Sequence, residues 1–373
     1  MADALILGGG LAGGAAALLL ARAGKSVCLV ERETGPHHKI CGEFLSIEAH
    51  SHLADLGIDA AALGAVPIDR VRLISGPARI DAALPFTALG LSRHILDEVL
   101  LERAEAAGVT LERGVRVLEM VGTRVRTSLG ERSAGTVLLA TGKLPVREGG
   151  QERKEKDSDR YVGFKMHYRL SRPAQEQLAG VVQLTLFEGG YAGLQMIEGG
   201  CANLCLIVRR SRLSQIGRNW SDMQAMLASL PRGGEWLCEA EPLFAKPVTI
   251  GNLSYGMAPA CRPDDPVFRL GDQAGMTASL TGDGMALALR SAFIAAECLL
   301  EGKDAAHYRQ RHRAQTGRQL TRAMALQRVL EHPVLRTMGV GLLKMRPGLL
   351  TRFAQGTRLG AYPGLPEQVM VAP

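Results

Sequence analysis

Three glycines and one acid open this chain with a pattern that can hold a diphosphate. Gly8-x-Gly10-x-x-Gly13 follows the apolar run Ala4 to Leu7, and Glu31 closes a second apolar run, Ser26 to Val30. Gly8 permits a tight turn, Gly10 lets backbone approach a pyrophosphate with no Cβ between, and Gly13 lets a helix lie close on a sheet. Free amides at the start of a helix over 11–23, with the positive end of its dipole, then hold the phosphates. Glu31 stands where a carboxylate accepts from both ribose hydroxyls and repels a 2′-phosphate. An adenosine diphosphate moiety is expected here, with FAD and NAD both open.

Other residues could act beside that moiety. In the loop RETGPHHKICGEFLS, Cys41 and Glu43 follow His37, His38 and Lys39, neighbours that shift a thiol pKa. Packing is the plain alternative for Cys41. Lys165 and His167 alternate on one expected strand and so share a face. Facing the cofactor, Lys165 would orient a polar head or a phenolate; facing outward, it would be solvated. Tyr191, flanked by glycines that permit close approach, is the candidate for a cavity wall. Gly271-Asp272 and Gly282-Asp283-Gly284 are further turn-and-acid pairs, and Asp272 alone reads equally as a helix cap.

The elements that must position these residues follow from texture. A chain of 373 residues exceeds one growing core, so two domains are expected. A helix over 47–56, strands over 70–82, a breaker-rich loop over 85–90 and a helix from Ser92 to Gly108 come next. Thr136 to Ala140 is a short buried strand stopped by Thr141-Gly142. Glu148 to Arg160 reads as a linker, and 161–255 as an antiparallel meander with one helix near 221–230. The remainder is helical, beginning at 284–300. Seven scattered cysteines are odd in number and give no disulfide framework. With 4% aromatic residues and no recognition module, nucleic-acid binding is disfavoured. No apolar run of about 18 residues occurs, so a cytoplasmic protein without signal peptide or spanning helix is expected. Between Arg309 and Arg358, eleven Lys/Arg face one acid, Glu331. Such helices either lie on anionic lipid or cap the domains with arginines in water.

GGGLAGG with Glu31, SRHILD (92–97), LLATG (138–142) and GDQAGMTASLTGDGMALAL (271–289) together resemble flavoproteins of the p-hydroxybenzoate hydroxylase superfamily. KICGEFLS, VGFKMHYR and GGYAGL look most like its geranylgeranyl reductase branch. The resemblance implies FAD, held by Leu11, Ala12, Arg32, Cys41, Arg93, Val117, Ala140, Thr141, Gly142, Gly271, Asp272, Gly282, Asp283, Gly284 and Met285 besides the fingerprint residues. Asp272 would bind the ribityl chain, and the start of the 284–300 helix the flavin pyrimidine edge. It also implies an α/β architecture: a Rossmann-like FAD-binding domain (1–68, 92–150, 262–303), an inserted antiparallel β-sheet substrate domain (69–91, 151–261) and a helical region (304–373). Ser279 replaces a family proline, and Ala286 stands where the monooxygenase pattern has asparagine. Trp220 and Trp236 do not form the tryptophan-rich motif of halogenases, which argues against halogenation. The expected activity is reduction of C=C bonds in an isoprenoid or other unsaturated lipid, with Cys41, Glu43, Lys165 and Tyr191 as catalytic candidates. The alternatives are a monooxygenase hydroxylating a phenolic or polyketide substrate, and an electron-transfer flavoprotein. No second fingerprint serves NAD(P)H, so NAD(P)H in a transient encounter or another reductant would reduce FAD; no metal is expected.

Overall fold

The computed structural model describes residues 2–149, 160–253, 255–257, 264–360 and 362. Cys261, most of the expected linker and the chain end lie outside these residues. A five-stranded parallel sheet forms the first layer, in the spatial order Phe268–Arg269, Thr136–Leu139, Ala4–Leu7, Val27–Glu31, Thr110–Arg113. Its three central strands are near-continuous apolar runs because helices Leu11–Arg22, Arg93–Ala106 and Gly284–Leu300 and a small four-stranded sheet bury them. Three loops leave the carboxyl ends of adjacent strands at Gly8, Thr141 and Gly271, and all three line one cavity. That is where open α/β sheets place ligands.

The helix starts are built as their sequences require. Ser92 caps Arg93–Ala106 by accepting from Ile95 N at 3.3 Å, and Gly108 ends the helix in a left-handed turn (φ 95°). A Cβ on Gly13 would stand 1.9 Å from the Gly8 carbonyl oxygen, so the first helix and strand touch backbone to backbone.

The second layer is a nine-stranded sheet including Tyr161–Arg169, Val181–Phe187, Gly190–Met196, Cys201–Arg209 and the hairpin Val66–Ser75/Ala78–Gly90. It is mixed rather than antiparallel: Val181–Phe187 pairs antiparallel with Gly190–Met196 but parallel with Val66–Ser75. The expected loop over 85–90 is also corrected, since the strand runs through to Gly90. Pairing jumps from Arg70↔Ala83 to Ile68↔Ala88, so Pro85 sits in a bulge, where a missing N–H costs no ladder bond. Helices Ala305–Glu331, Pro333–Met345 and Gly348–Gly356 close the open side. Of the two expected roles, lipid contact or cap, the inner faces fit the cap, since they turn apolar residues to the cavity.

Gly13→Ala is expected to destabilise the protein by about 1–3 kcal/mol or more through overpacking against fixed backbone. Gly14→Ala, whose Cβ would meet the Leu100 side chain at 3.0 Å rather than fixed backbone, is expected to cost less. Thermal unfolding of the two variants checks the order.

Candidate active site

A cavity of about 820 Å³ runs from the glycine loop to the C-terminal helices. At its first end the fingerprint is assembled as a phosphate cradle. Arg93 and Lys39 converge over Gly10: a Cβ there would lie 3.3 Å from the Arg93 guanidinium and 3.5 Å from Lys39 Nζ. Asp97 fixes both cations, accepting from Arg93 Nε and Nη2 at 2.6 and 2.8 Å and pairing with Lys39 at 2.8 Å. Burial alone would raise the Asp97 pKa, but Arg93 and Lys39 hold it low, so it stays ionised. Two oriented cations and a helix amino end are the donor set a diphosphate needs.

Glu31 is buried beside this cradle, its Oε2 accepting from Gly9 N at 2.6 Å and its Oε1 from Glu33 N at 3.0 Å. Each oxygen keeps a lone pair for a ribose hydroxyl. Beyond the cradle, Asp272 Oδ2 accepts from Lys143 Nζ at 3.1 Å, and the Asp272 carboxylate raises the lysine pKa against the opposing effect of burial. Gln273 donates to the carbonyls of Gly142 and Leu144 at 2.6 and 3.0 Å, joining two strand-end loops. These residues fit FAD: diphosphate cations, a ribose acid and a polyol acid follow one another along one cavity.

The Cys41-Gly42-Glu43 loop is fastened from behind. Glu43 has φ 58°, a left-handed conformation that costs a non-glycine residue about 1–3 kcal/mol. Its carboxylate is fully buried, pairs with the fully buried Lys165, meets His167 Nε2 at 2.8 Å and accepts from Arg93 N at 2.8 Å. Burial would raise its pKa, but Lys165 and His167 hold it low. Gln195 donates to the Glu43 carbonyl at 2.8 Å, and Asn203 to those of Cys41 and Gly42 at 3.1 and 2.8 Å. Ligand atoms of His38, Glu43 and His167 lie within 4.8 Å of one another. Lys165 already places a cation on Glu43, so the cluster is an internal ion pair with histidines rather than a donor set poised for a metal. Burial and the Lys165 charge push His38 down to about 4, keeping it neutral.

Most expected contact residues line the cavity: Gly8, Gly10, Leu11, Ala12, Glu31, Arg32, Cys41, Glu43, Arg93, Val117, Ala140, Thr141, Gly142, Tyr191, Gly271, Asp272, Gly282, Gly284 and Met285. Three do not. Gly13 serves packing, Lys165 sits behind the loop rather than facing the cavity or solvent, and Asp283 turns away toward Arg358. The glycines before Tyr191 answer to the protein itself: a Cβ on Gly190 would meet Ile207 O at 2.2 Å. Sequence reasoning missed Asp97, Lys143, Gln195, Asn203 and Arg358, although Asp97 stood inside the quoted SRHILD segment.

Past the cradle the walls become apolar. Leu73, Leu184, Tyr191 and Ile207 come from the sheet, and Leu330, Val340, Leu343 and Phe353 from the C-terminal helices. Trp220 and Trp236 are outside this wall, stacked on Phe164 and edge-on to Tyr168 in the sheet's far core.

Lys165→Met leaves the buried Glu43 without its lysine, His167 remaining as its side-chain partner, and is expected to cost about 3–5 kcal/mol in urea unfolding. Glu43→Gln/Lys165→Met is expected to recover most of it.

Residues 1–138 match the family described as FAD binding domain. Protein FixC of Shigella flexneri is 29% identical over 197 residues, 47% of this chain and 45% of that protein. The chain thus spans less than half the length of that curated relative. Among solved structures, the flavin-dependent brominase Bmp2 matches with a TM-score of 0.77 at 18% identity, over 95% of this chain and 93% of its own. PqsL, described as a probable FAD-dependent monooxygenase from Pseudomonas aeruginosa, matches with a TM-score of 0.69 at 18% identity, over 91% and 99%. These near end-to-end likenesses overturn the expected C=C reduction of isoprenoids: the fold neighbours are a brominase and a monooxygenase. They do not single out the geranylgeranyl reductase branch. Residues 1–138 thus match an FAD binding domain, and the chain shares the fold of these flavin-dependent enzymes.

Proposed function

We propose that the protein is a flavin monooxygenase that hydroxylates a lipophilic phenolic or polyketide substrate. The observation that carries this reading is the continuity of the cavity: the FAD cradle opens into an apolar chamber walled by the sheet on one side and the C-terminal helices on the other. An electron-transfer flavoprotein needs a shallow cofactor edge and no such chamber. When bound, FAD supplies the reduction of O2 that places one oxygen atom on the substrate and releases the other as water, with NAD(P)H as the two-electron reductant.

The chain's own part is enclosure and placement. Apolar walls exclude water from the reacting centre. The amino end of Gly284–Leu300 faces the cavity at Gly284 and Met285, where helix amides favour negative charge on the reduced cofactor. Cys41 and Tyr191 present the reactive side chains at the wall, and burial raises the Tyr191 hydroxyl pKa so that it remains protonated. Glu43 and Lys165 act from behind as positioning residues for the Cys41 loop.

The test is oxygen uptake by the FAD-loaded protein with NAD(P)H and an alkyl-substituted phenol. Substrate-dependent uptake with one oxygen atom added to the product is the expected result. Reduced-flavin reoxidation by substrate without oxygen, or a brominated product when bromide is present, refutes hydroxylation.

The outer face of Pro333–Met345 adds a place of work. Val334, Leu335, Met338 (66% exposed) and Met345 (81% exposed) lie on a helix whose inner face lines the cavity. Lys344, Arg346 and Arg352 are exposed beside them, and Glu331, the acid of this region, turns inward to Arg209 at 2.6 Å. No helix among the described residues is long and apolar enough to cross a membrane. We infer that this face rests on an anionic lipid surface, each basic residue adding about 1 kcal/mol at low salt. Co-sedimentation with phosphatidylglycerol vesicles, absent with phosphatidylcholine and lost on Met338→Glu/Met345→Glu, is expected. Self-association abolished by the same substitutions, with no vesicle binding, would overturn it in favour of a second copy.

A further inference from the structure

Asp283 interrupts a segment that otherwise faces the cavity. Thr281, Gly282, Gly284 and Met285 line it, whereas Asp283 is fully buried at the amino end of Gly284–Leu300 and gives that helix no side-chain cap. Its partner comes from the segment after the last helix. Arg358 Nη2 lies 2.5 Å from Asp283 Oδ1 and donates to the Thr281 carbonyl at 2.7 Å. The same guanidinium is 3.7 Å from Glu48 Oε2 and 5.0 Å over the Phe86 ring. Arg358 and Glu48 are thus the charged groups facing Asp283, and Gln319 and Thr281 face it as neutral ones.

The cofactor must pass close to this acid. Glu31 sets the adenosine end and Gly10 with Arg93 and Lys39 the diphosphate, so the other half of FAD follows the remaining cavity past Asp272 to the amino end of Gly284–Leu300. Negative charge gained there on reduction meets a carboxylate on the far side of one turn of backbone. Two like charges in a dry site cannot both stand without cost, and protonating the acid relieves it.

We propose that Asp283, held by Arg358, is the group that couples FAD reduction to proton uptake and so sets the reduction potential. The external reductant delivers a hydride equivalent, two electrons and one proton, to FAD, and a second proton passes from solvent to the Asp283 carboxylate, offsetting the one negative charge gained. Burial raises Asp283 to about 7, Arg358 opposing the rise and Glu48 adding to it, so the acid is poised to change state near neutral pH. The inference rests on the FAD site alone; failure of the oxygen-uptake experiment leaves it standing.

The experiment is a spectroelectrochemical titration of the FAD-loaded protein, without substrate, across the range spanning pH 7. The wild-type potential is expected to steepen there by one proton per two electrons, a tenfold change in equilibrium constant per pH unit, or about 30 mV. Asp283→Asn is expected to lose the steepening and to hold a higher potential on the alkaline side. Glu48→Gln removes a like charge and is expected to move the steep region to lower pH. Superimposable wild-type and Asp283→Asn profiles would overturn the proposal. Where Asp283→Asn does not retain FAD, a Glu48→Gln profile identical to wild type overturns it equally.

Discussion

The buried ion pair between Glu43 and Lys165 ties the two layers of this molecule together. Glu43 belongs to the loop that leaves the parallel sheet, and the residues after it, Phe44–Leu45, become an edge strand of the other sheet by pairing with Leu89 and Gly90. Lys165 stands in the middle of that second sheet, opposite Cys205. A carboxylate with no exposure is tolerable only when a cation and hydrogen bonds surround it. Here a lysine, a histidine and a backbone amide do so, and Glu43 meets them from left-handed backbone. The strain and the burial are two sides of one constraint, which fixes Cys41 at the cavity wall.

From that constraint the chamber follows. With the loop pinned, the second sheet cannot slide relative to the diphosphate cradle, and its face over Leu184, Tyr191 and Ile207 is held across the cavity from the strand ends at Gly8, Thr141 and Gly271. The C-terminal helices then need only cover the open side. They do so by specific ties at their ends: Glu331 to Tyr161 and Arg209, Thr351 Oγ1 to the Ala83 carbonyl at 2.7 Å, and Arg358 to the Thr281 carbonyl. Each tie anchors a helix to a different part of the wall.

What the sequence disclosed was local. The fingerprint was legible because every step of it, turn, close approach, helix start and acid, is set by residues near in sequence, and Ser92 and Gly108 were legible for the same reason. That Lys165 and His167 share a face was also readable from period two. That the face is buried against Glu43, from over a hundred positions earlier, was not, because partner choice across a chain leaves no mark in either segment. Pro85 misled in the opposite sense: a breaker reads as a loop unless one knows that a bulge opposite Asp69 will absorb it. Arg358 was just one basic residue in a basic tail until the fold brought it to Asp283. The reaction was less legible still, since cofactor and fold are shared by enzymes of differing chemistry and the residues at the cradle are chosen for FAD, not for its substrate.

The C-terminal helices illustrate why amphipathic pattern alone could not decide between cap and membrane surface. Pro333–Met345 is apolar on both sides: Gly339, Val340 and Leu343 face the cavity, and Val334, Met338 and Met345 face outward. A helix that only capped the domains would keep a polar outer face, and one that only touched lipid would need no contact with the chamber. A helix that did both would place an apolar exterior one helix diameter, about 10 Å, from the substrate wall. For a substrate that leaves water reluctantly, that short distance lowers the cost of transfer, because the molecule exchanges one apolar surrounding for another. The basic residues at the helix ends would hold that exterior toward negative charge, so orientation on a surface and access to the cavity come from one element.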